Sequence, residues 1–462
     1  MSDFLFSEFD LVSAKQWKQK IQADLKGADY NETLLWKTDE GITVKPFYHL
    51  DNVEQLNFTP TKDSFAICQS IFISDEKTAN LIAKGILNRG VNAIQFEANE
   101  PFDIDILLHG LTLDEVKESF SIHFKLNFLS ENFLIELIER NLSNISFLNI
   151  DLIGNLARTG NWYYSQKEDH QILDRIFSNT IKNGAVLSVD ASLYQNAGAT
   201  SVQQVAYALA HANEYLNHFN NSNEPVVKRY AGRIKFDFSV GSNYFFEMAK
   251  LRAFRYLWDL VCDEYGYTIE PHIFVTPSLR NKTLYDYNVN MLRTTTECMS
   301  AILGGANTIS NIAYDHIYHK KNEFGERISR NQLLVLQNES YFKEAAHFAD
   351  GSYYIETLTK QIAEKALAIF KDIEKSGGFL KQLVEDTIQR KIKESAEKEQ
   401  AQFDSGEKVL LGTNKHPNQS DRMKEVIKLY PFVKTKPRKT AITPIIPKRL
   451  AEKLEQGRLE NE

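Results

Sequence analysis

The stretch Ala185-Val-Leu-Ser-Val189, followed by Thr200–Phe219 and then by Arg233-Ile-Lys-Phe-Asp-Phe-Ser-Val240, reads as strand, helix, strand. The outer pieces are short β-branched or aromatic runs. Between them Val202, Val205, Ala206, Leu209 and Leu216 recur at helical spacing and make one apolar face. Ser201 and Gln204 stand at capping-box spacing where that helix begins. Strand, covering helix and next strand form the unit of a parallel sheet, and repetition of the unit decides the fold.

Outward from it, strands are expected at Ala66–Ile73, Asn92–Phe96, Ser121–Phe128, Phe147–Ile153, Ala185–Val189, Arg233–Val240, His272–Val275 and Thr308–Ile312. Phe245, Met248, Leu251, Trp258 and Val261 mark another helix within Ser242–Gly266. A doubly wound open sheet would show the same alternation. Eight strands within about 250 residues favour an α/β fold of the (β/α)8 TIM type.

The flanks differ in character. Residues 1–48 read as an amphipathic extension, with Trp17, Ile21 and Leu25 at helical spacing and Gly27 as a stop. Helices are expected near Glu326–Ala346 and Thr357–Lys375, and an exposed one at Arg390–Gln402. Tyr430–Pro447 carries four of the eleven prolines and reads as an extended segment that wraps another surface. The chain thus divides into an N-terminal partner-wrapping extension (1–48), the barrel with its following helices (49–390) and a helical and proline-rich tail (391–462).

Composition narrows the function. Of 462 residues, 43% are hydrophobic and 25% charged, so a large core is possible. Lys and Arg number 54 against 61 Asp and Glu, a net charge of −7 that disfavours a nucleic-acid partner. Cys68, Cys262 and Cys298 lie too far apart for a disulfide framework or a cysteine zinc site. No apolar run reaches the roughly 18–20 residues of a membrane span. The first ten residues include acids and no basic region, unlike a secretory signal. A soluble, cytoplasmic protein is expected.

General motifs say little. No Gly-x-Gly-x-x-Gly, Walker loop, Gly-x-Ser-x-Gly or His-Glu-x-x-His is present. His316 and His319 could share a helical face but have no third ligand nearby, so no metal site is assigned. His211 and His218 read as packing or surface residues on their helix, and Gly304–Gly305 as a tight turn before the last strand.

Longer blocks are more specific. They run Gln195-Asn-Ala-Gly-Ala-Thr200 with Val205-Ala-Tyr-Ala-Leu-Ala210, then Arg233-Ile-Lys-Phe-Asp-Phe with Met248-Ala-Lys-Leu-Arg-Ala253. Next come Leu292-Arg-Thr-Thr-Thr-Glu297 with Ala301-Ile-Leu-Gly-Gly-Ala306, and Arg327-Ile-Ser-Arg-Asn331 with Gln337-Asn-Glu-Ser340. Asp350-Gly-Ser-Tyr-Tyr-Ile-Glu356 closes the series, while Trp17, Asp24-Leu-Lys-Gly27 and Gly41-Ile-Thr-Val-Lys-Pro46 precede it. In this order the chain, over roughly residues 1–415, resembles the coenzyme A–binding barrel of the methylmalonyl-CoA mutase family. The resemblance implies a barrel whose axis takes the pantetheine chain, and an adenosylcobalamin-dependent interconversion of methylmalonyl-CoA and succinyl-CoA.

Departures from the family pattern point to a chain without catalytic residues. Where the family has Ser-Gly-Tyr-His-x-Gln-Glu, this chain has Asp190-Ala-Ser-Leu-Tyr-Gln-Asn196. Leu193 replaces the histidine that binds the thioester carbonyl, and leucine has no donor to offer a developing oxyanion. The family's Pro-Trp-Thr-Ile-Arg-Gln-Tyr-Ala-Gly loop has no counterpart in His49–Ser64. Asp237 stands where the family has an aromatic residue and is expected to repel an anionic substrate. Phe274-Val-Thr-Pro-Ser-Leu-Arg280 replaces His-x-Gln-Thr-Ser-Gly-Trp. No histidine follows an aspartate by two positions, as the family's cobalt-ligating motif requires, and the 60 or so residues after Gln402 are too few for a cobalamin domain.

The resemblance therefore implies a small, non-catalytic subunit that binds no cofactor itself. Its partner is a large catalytic subunit holding adenosylcobalamin, with residues 1–48 and the tail as docking candidates. The alternative is an active acyl-CoA mutase barrel working with a separate cobalamin-binding protein. Arg233 and Arg293 are possible residual CoA contacts or, on the other reading, members of structural ion pairs.

Overall fold

A computed structural model describes residues 7–52, 64–111, 120–140, 146–179, 184–220, 233–344, 347–434 and 437–462. Phe4, Leu5 and Phe6, within the 1–48 extension, and most of the His49–Ser64 connection lie outside the described residues. The first helix, Ala14–Asp24, starts at a capping box: Ser13 Oγ accepts from Gln16 N–H, and Gln16 Oε1 from Ser13 N–H. A short helix, Tyr30–Leu34, and an antiparallel hairpin of β1 (Trp36–Lys37) and β2 (Thr43–Val44) follow.

The barrel is built of β3 (Ala66–Phe72), β4 (Ala93–Ala98), β5 (Ser121–Leu126), β6 (Ser146–Ile150), β7 (Gly184–Asp190), β8 (Arg233–Val240), β9 (Glu270–Pro277) and β10 (Thr308–Ser310). Every pairing is parallel, and β10 closes on β3. The eight-stranded barrel expected from the alternation is therefore present. Ile94, Phe96, Ile122, Phe124, Phe236, Phe238, Ile273 and Val275 recur at every second position and join the main apolar core shared with the helices. Each large side chain so buried stabilises the fold by about 1.5–3 kcal/mol before chain entropy is counted.

Some element ends differ from expectation for local reasons. β6 stops before Asp151, whose carboxylate accepts from Gly154 N–H at 2.8 Å and starts the helix Leu152–Thr159. The helix Ser201–Asn220 is capped one residue earlier than Ser201 and Gln204 suggest. Thr200 Oγ1 accepts from Gln203 N–H, and Gln203 Oε1 accepts from Thr200 N–H. Gln204 is thereby released to accept from Lys250. The helix Tyr244–Tyr265 ends at Gly266, in the left-handed conformation.

The flanks refine two expectations. Over Arg390–Gln402 the helix Thr387–Ser405 is largely exposed, with Ile392 buried, while Ile388, Gln389 and Phe403 beyond that stretch are buried as well. The proline-rich tail wraps a surface, and that surface is this chain's own barrel. Ala441 and Ile442 N–H donate to Gly160 O, Ile445 N–H to Ala157 O, Lys448 N–H to Asn196 O and Leu450 N–H to Arg280 O. These acceptors follow β6, β7 and β9, so the tail straps the C-terminal end of the barrel. Gly160 permits the crossing: a Cβ there would stand 2.7 Å from Ile442 O. Arg449 and Glu455, both buried, pair at 2.7 Å and lock the strap's end.

Candidate functional site

In an α/β barrel the loops at the C-terminal ends of the strands, and the lumen below them, are where chemistry is usually placed. Here the lumen is filled. His123 on β5 stacks on Phe147 of β6 at 4.4 Å between ring centroids. It also lies 5.5 Å from His272 and 5.2 Å from Phe274, both on β9. Since β5 and β9 are not neighbours in the closed sheet, these contacts cross the lumen.

Above the rings, Lys235 of β8 lies 3.9 Å from the Phe274 centroid, donates to Gln95 Oε1 of β4 at 3.2 Å, and pairs with Asp237 at 2.8 Å. The repulsion expected from Asp237 is thus compensated by its own neighbour two residues away. Burial raises the Asp237 carboxyl above the usual carboxylate range despite the Lys235 charge. Burial, reinforced by Lys235 and His272, pushes His123 well below the ordinary imidazole value. A neutral ring in the plug is the consequence.

At the mouth, Arg158 pairs with Asp190 at 2.9 Å, and Ser192 donates to the same carboxylate. Burial alone would raise Asp190; Arg158 and Lys125 outweigh it and hold the group below its usual value. Asp151 accepts from His211 Nε2 and from Tyr215 OH, each at 2.8 Å, and Tyr194 OH lies 2.9 Å from His211 Nδ1. Leu193, between Ser192 and Tyr194 in the chain, is 3% exposed and belongs to the main apolar core. The space left at this mouth is about 70 Å3, room for a few waters.

The remaining candidates are dispersed. Arg233 begins β8, at the opposite end of the barrel, and its Nε donates to Glu270 at 3.0 Å. Arg293 donates to Thr283, Asn290 and the Leu411 carbonyl and has no ion pair among the described residues. The structure does not bring the two arginines together. His211 is a packed core residue, His218 pairs with Asp174, and His319 lies on the Lys320 carbonyl. Among the described residues no three His, Cys, Asp or Glu side chains gather as a metal site. A Cβ on Gly304 would meet Leu251 Cδ1 at 3.0 Å, so that glycine serves close helix packing.

Several of the quoted blocks turn out to hold the scaffold together. Arg252 pairs with Glu356 at 2.6 Å and with Asp350, tying two blocks almost a hundred residues apart. Lys282 and Glu297 pair at 2.7 Å, both fully buried. The plug of His123, Phe147, His272 and Phe274 was missed in the sequence. Its signal was there: Ser-Ile-His-Phe-Lys and Pro-His-Ile-Phe-Val place large rings at inward positions of strands.

The family model for methylmalonyl-CoA mutase matches residues 88–456. The chain belongs to this family. It is 32% identical over 446 residues to the methylmalonyl-CoA mutase small subunit of Porphyromonas gingivalis, covering 90% of this chain and 71% of that protein. It is 28% identical to the methylmalonyl-CoA mutase of Cereibacter sphaeroides, covering 87% of this chain and 64% of the relative. With the methylmalonyl-CoA mutase large subunit of Streptomyces virginiae it shares 26% identity, over 90% of this chain and 64% of that protein. The chain therefore spans less than two thirds of the length of the latter two relatives.

The family implies adenosylcobalamin, and the residues present do not fit it. The C-terminal end of the barrel is strapped by the tail. A second cavity on that end, about 380 Å3, lies among Glu40, Gln195, Thr200, Gln204, Glu247 and Arg280, and among the described residues that line it there is no histidine or cysteine. No residue there is a candidate axial ligand to cobalt.

Proposed function

We propose that this chain is the small, non-catalytic partner of a large methylmalonyl-CoA mutase chain, with adenosylcobalamin and the radical rearrangement belonging to that large chain. The observation that carries the reading is the filled lumen: two phenylalanines, two histidines and the Lys235–Asp237 pair occupy the axis a pantetheine chain would need. Leu193 adds to it, since an apolar side chain cannot bind a thioester oxygen. What remains for such a chain is support: binding the folded partner stabilises it by mass action without any chemistry.

Pairing also suits the N-terminal segment. The helix Ala14–Asp24 buries no residue, and Phe9, Leu11 and Val12 before it are exposed. Expressed with the large chain, the protein should form a 1:1 complex.

The test is turnover and binding by the purified chain. With methylmalonyl-CoA and adenosylcobalamin supplied, no succinyl-CoA should form above a no-enzyme control, and calorimetric titration with methylmalonyl-CoA should give no binding heat. Turnover would overturn the reading in favour of an active barrel served by a separate cobalamin protein. Failure to pair with the large chain would remove the supporting role.

A further inference from the structure

Residues 408–448 hold ten Lys and Arg against two acids, Asp421 and Glu425, in a chain of net charge −7. Lys415, Lys424, Lys428, Lys434, Lys439 and Lys448 are exposed, and among the described residues none of the six has a carboxylate partner. Arg422 and Arg438 spend their guanidinium groups on main-chain carbonyls. The contrast with the preceding helix is plain. There Lys391 pairs with Glu394 at 2.8 Å and Lys398 with Asp39 at 2.9 Å.

The segment is fixed to one end of the barrel. Lys428 and Leu429 N–H donate to Tyr318 O, after β10, and Asp421 Oδ2 accepts from Asp286 N–H, after β9. The second half is the strap over the loops following β6, β7 and β9. The cations therefore form a belt on the C-terminal end, concentrated where self-repulsion goes uncompensated within the chain.

Exposed aliphatic and aromatic side chains are interleaved with the charges: Leu411, Val426, Leu429, Tyr430 and Ile446. A phosphate backbone has no use for them, whereas apolar contacts within a charged rim are the make-up of a protein interface. We infer that this belt docks against a carboxylate-rich face of another protein. Resting on the pairing proposed above, the large mutase chain is the partner that supplies it.

The experiment uses the two-chain complex. The variant carrying Lys424→Glu, Lys428→Glu, Lys434→Glu and Lys439→Glu should weaken the Kd for the large chain at least tenfold at about 0.1 M salt. The difference should fade towards about 1 M, where charges are screened within roughly 3 Å. In the unmodified complex, a zero-length carbodiimide cross-linker should join these lysines to carboxylates of the large chain, a readout independent of how the variant folds. An unchanged Kd with no such cross-links overturns the belt while leaving the pairing intact. Loss of heparin or anionic-vesicle binding by the variant, with pairing unchanged, overturns it in favour of a polyanion or a lipid surface. If the unmodified chains do not associate at all, the pairing fails first and this assignment with it.

Discussion

The lumen and the outer end of the same barrel handle their polar groups in opposite ways. In the lumen Lys235 has Asp237 and Gln95, and at its mouth Asp190 has Arg158 and Asp151 has His211 and Tyr215. Outside, six lysines of residues 408–448 stand exposed with no carboxylate partner among the described residues, and the N-terminal helix Ala14–Asp24 has no buried residue. Buried polar groups must be satisfied within the chain because water cannot reach them. Exposed groups carry no such demand, so an unmatched surface is free to meet something else. The difference teaches that this barrel meets the needs of its interior within the chain and leaves its outer end with charges it does not match itself.

The largest test of that contrast is Phe274→Ala. Emptying one ring from the plug should destabilise the fold by about 3–5 kcal/mol in urea unfolding, through lost burial and the cavity left behind. A cost below about 1 kcal/mol would mean that the lumen is looser than the ring contacts imply. Leu193→His should cost less, about 1–3 kcal/mol, because it buries an imidazole with no assured partner. It should also leave the isolated chain without mutase turnover. An unchanged melting temperature would place position 193 at solvent, outside the filled interior.

Acid titration gives a smaller effect of defined sign. The Asp190 carboxyl lies below its ordinary value of 3.8 in the folded chain, so the unfolded chain binds its proton more readily. Its contribution is fully present above the unfolded value and is lost as pH falls through the folded one. Asp190→Asn should therefore flatten the decline of stability below about pH 4. An identical acid limb in the variant would show that the Arg158 pair does not shift this group.

Leu11→Ser should have the smallest effect, within about 0.5 kcal/mol for the isolated chain, since the side chain is fully exposed. The same substitution should weaken association with the large chain, which separates a surface waiting for a partner from one that is merely apolar.

Alternation of short apolar strands with amphipathic helices pointed to an α/β fold, and eight strands within about 250 residues favoured the barrel over an open sheet. Its closure is seen only in the pairing of β10 with β3. The alternation is a local signal, since inward and outward positions follow from a period of two and helix faces from 3.6. The apolar side chain at Leu193, which offers no hydrogen-bond donor, was equally legible, because it is one residue in a quoted block. What fills the lumen was legible only as large rings at alternate strand positions, not as a cluster. His123, Phe147, His272 and Phe274 come from three strands and meet only after the sheet closes. Likewise the tail's prolines announced an extended segment, but only the folded chain decided which surface it covers, since hydrogen bonds to Gly160, Asn196 and Arg280 depend on loops far away in sequence. Lys235 and Asp237 are two apart on one strand, yet that they pair with each other along it, in a closed interior, is seen only in the folded barrel.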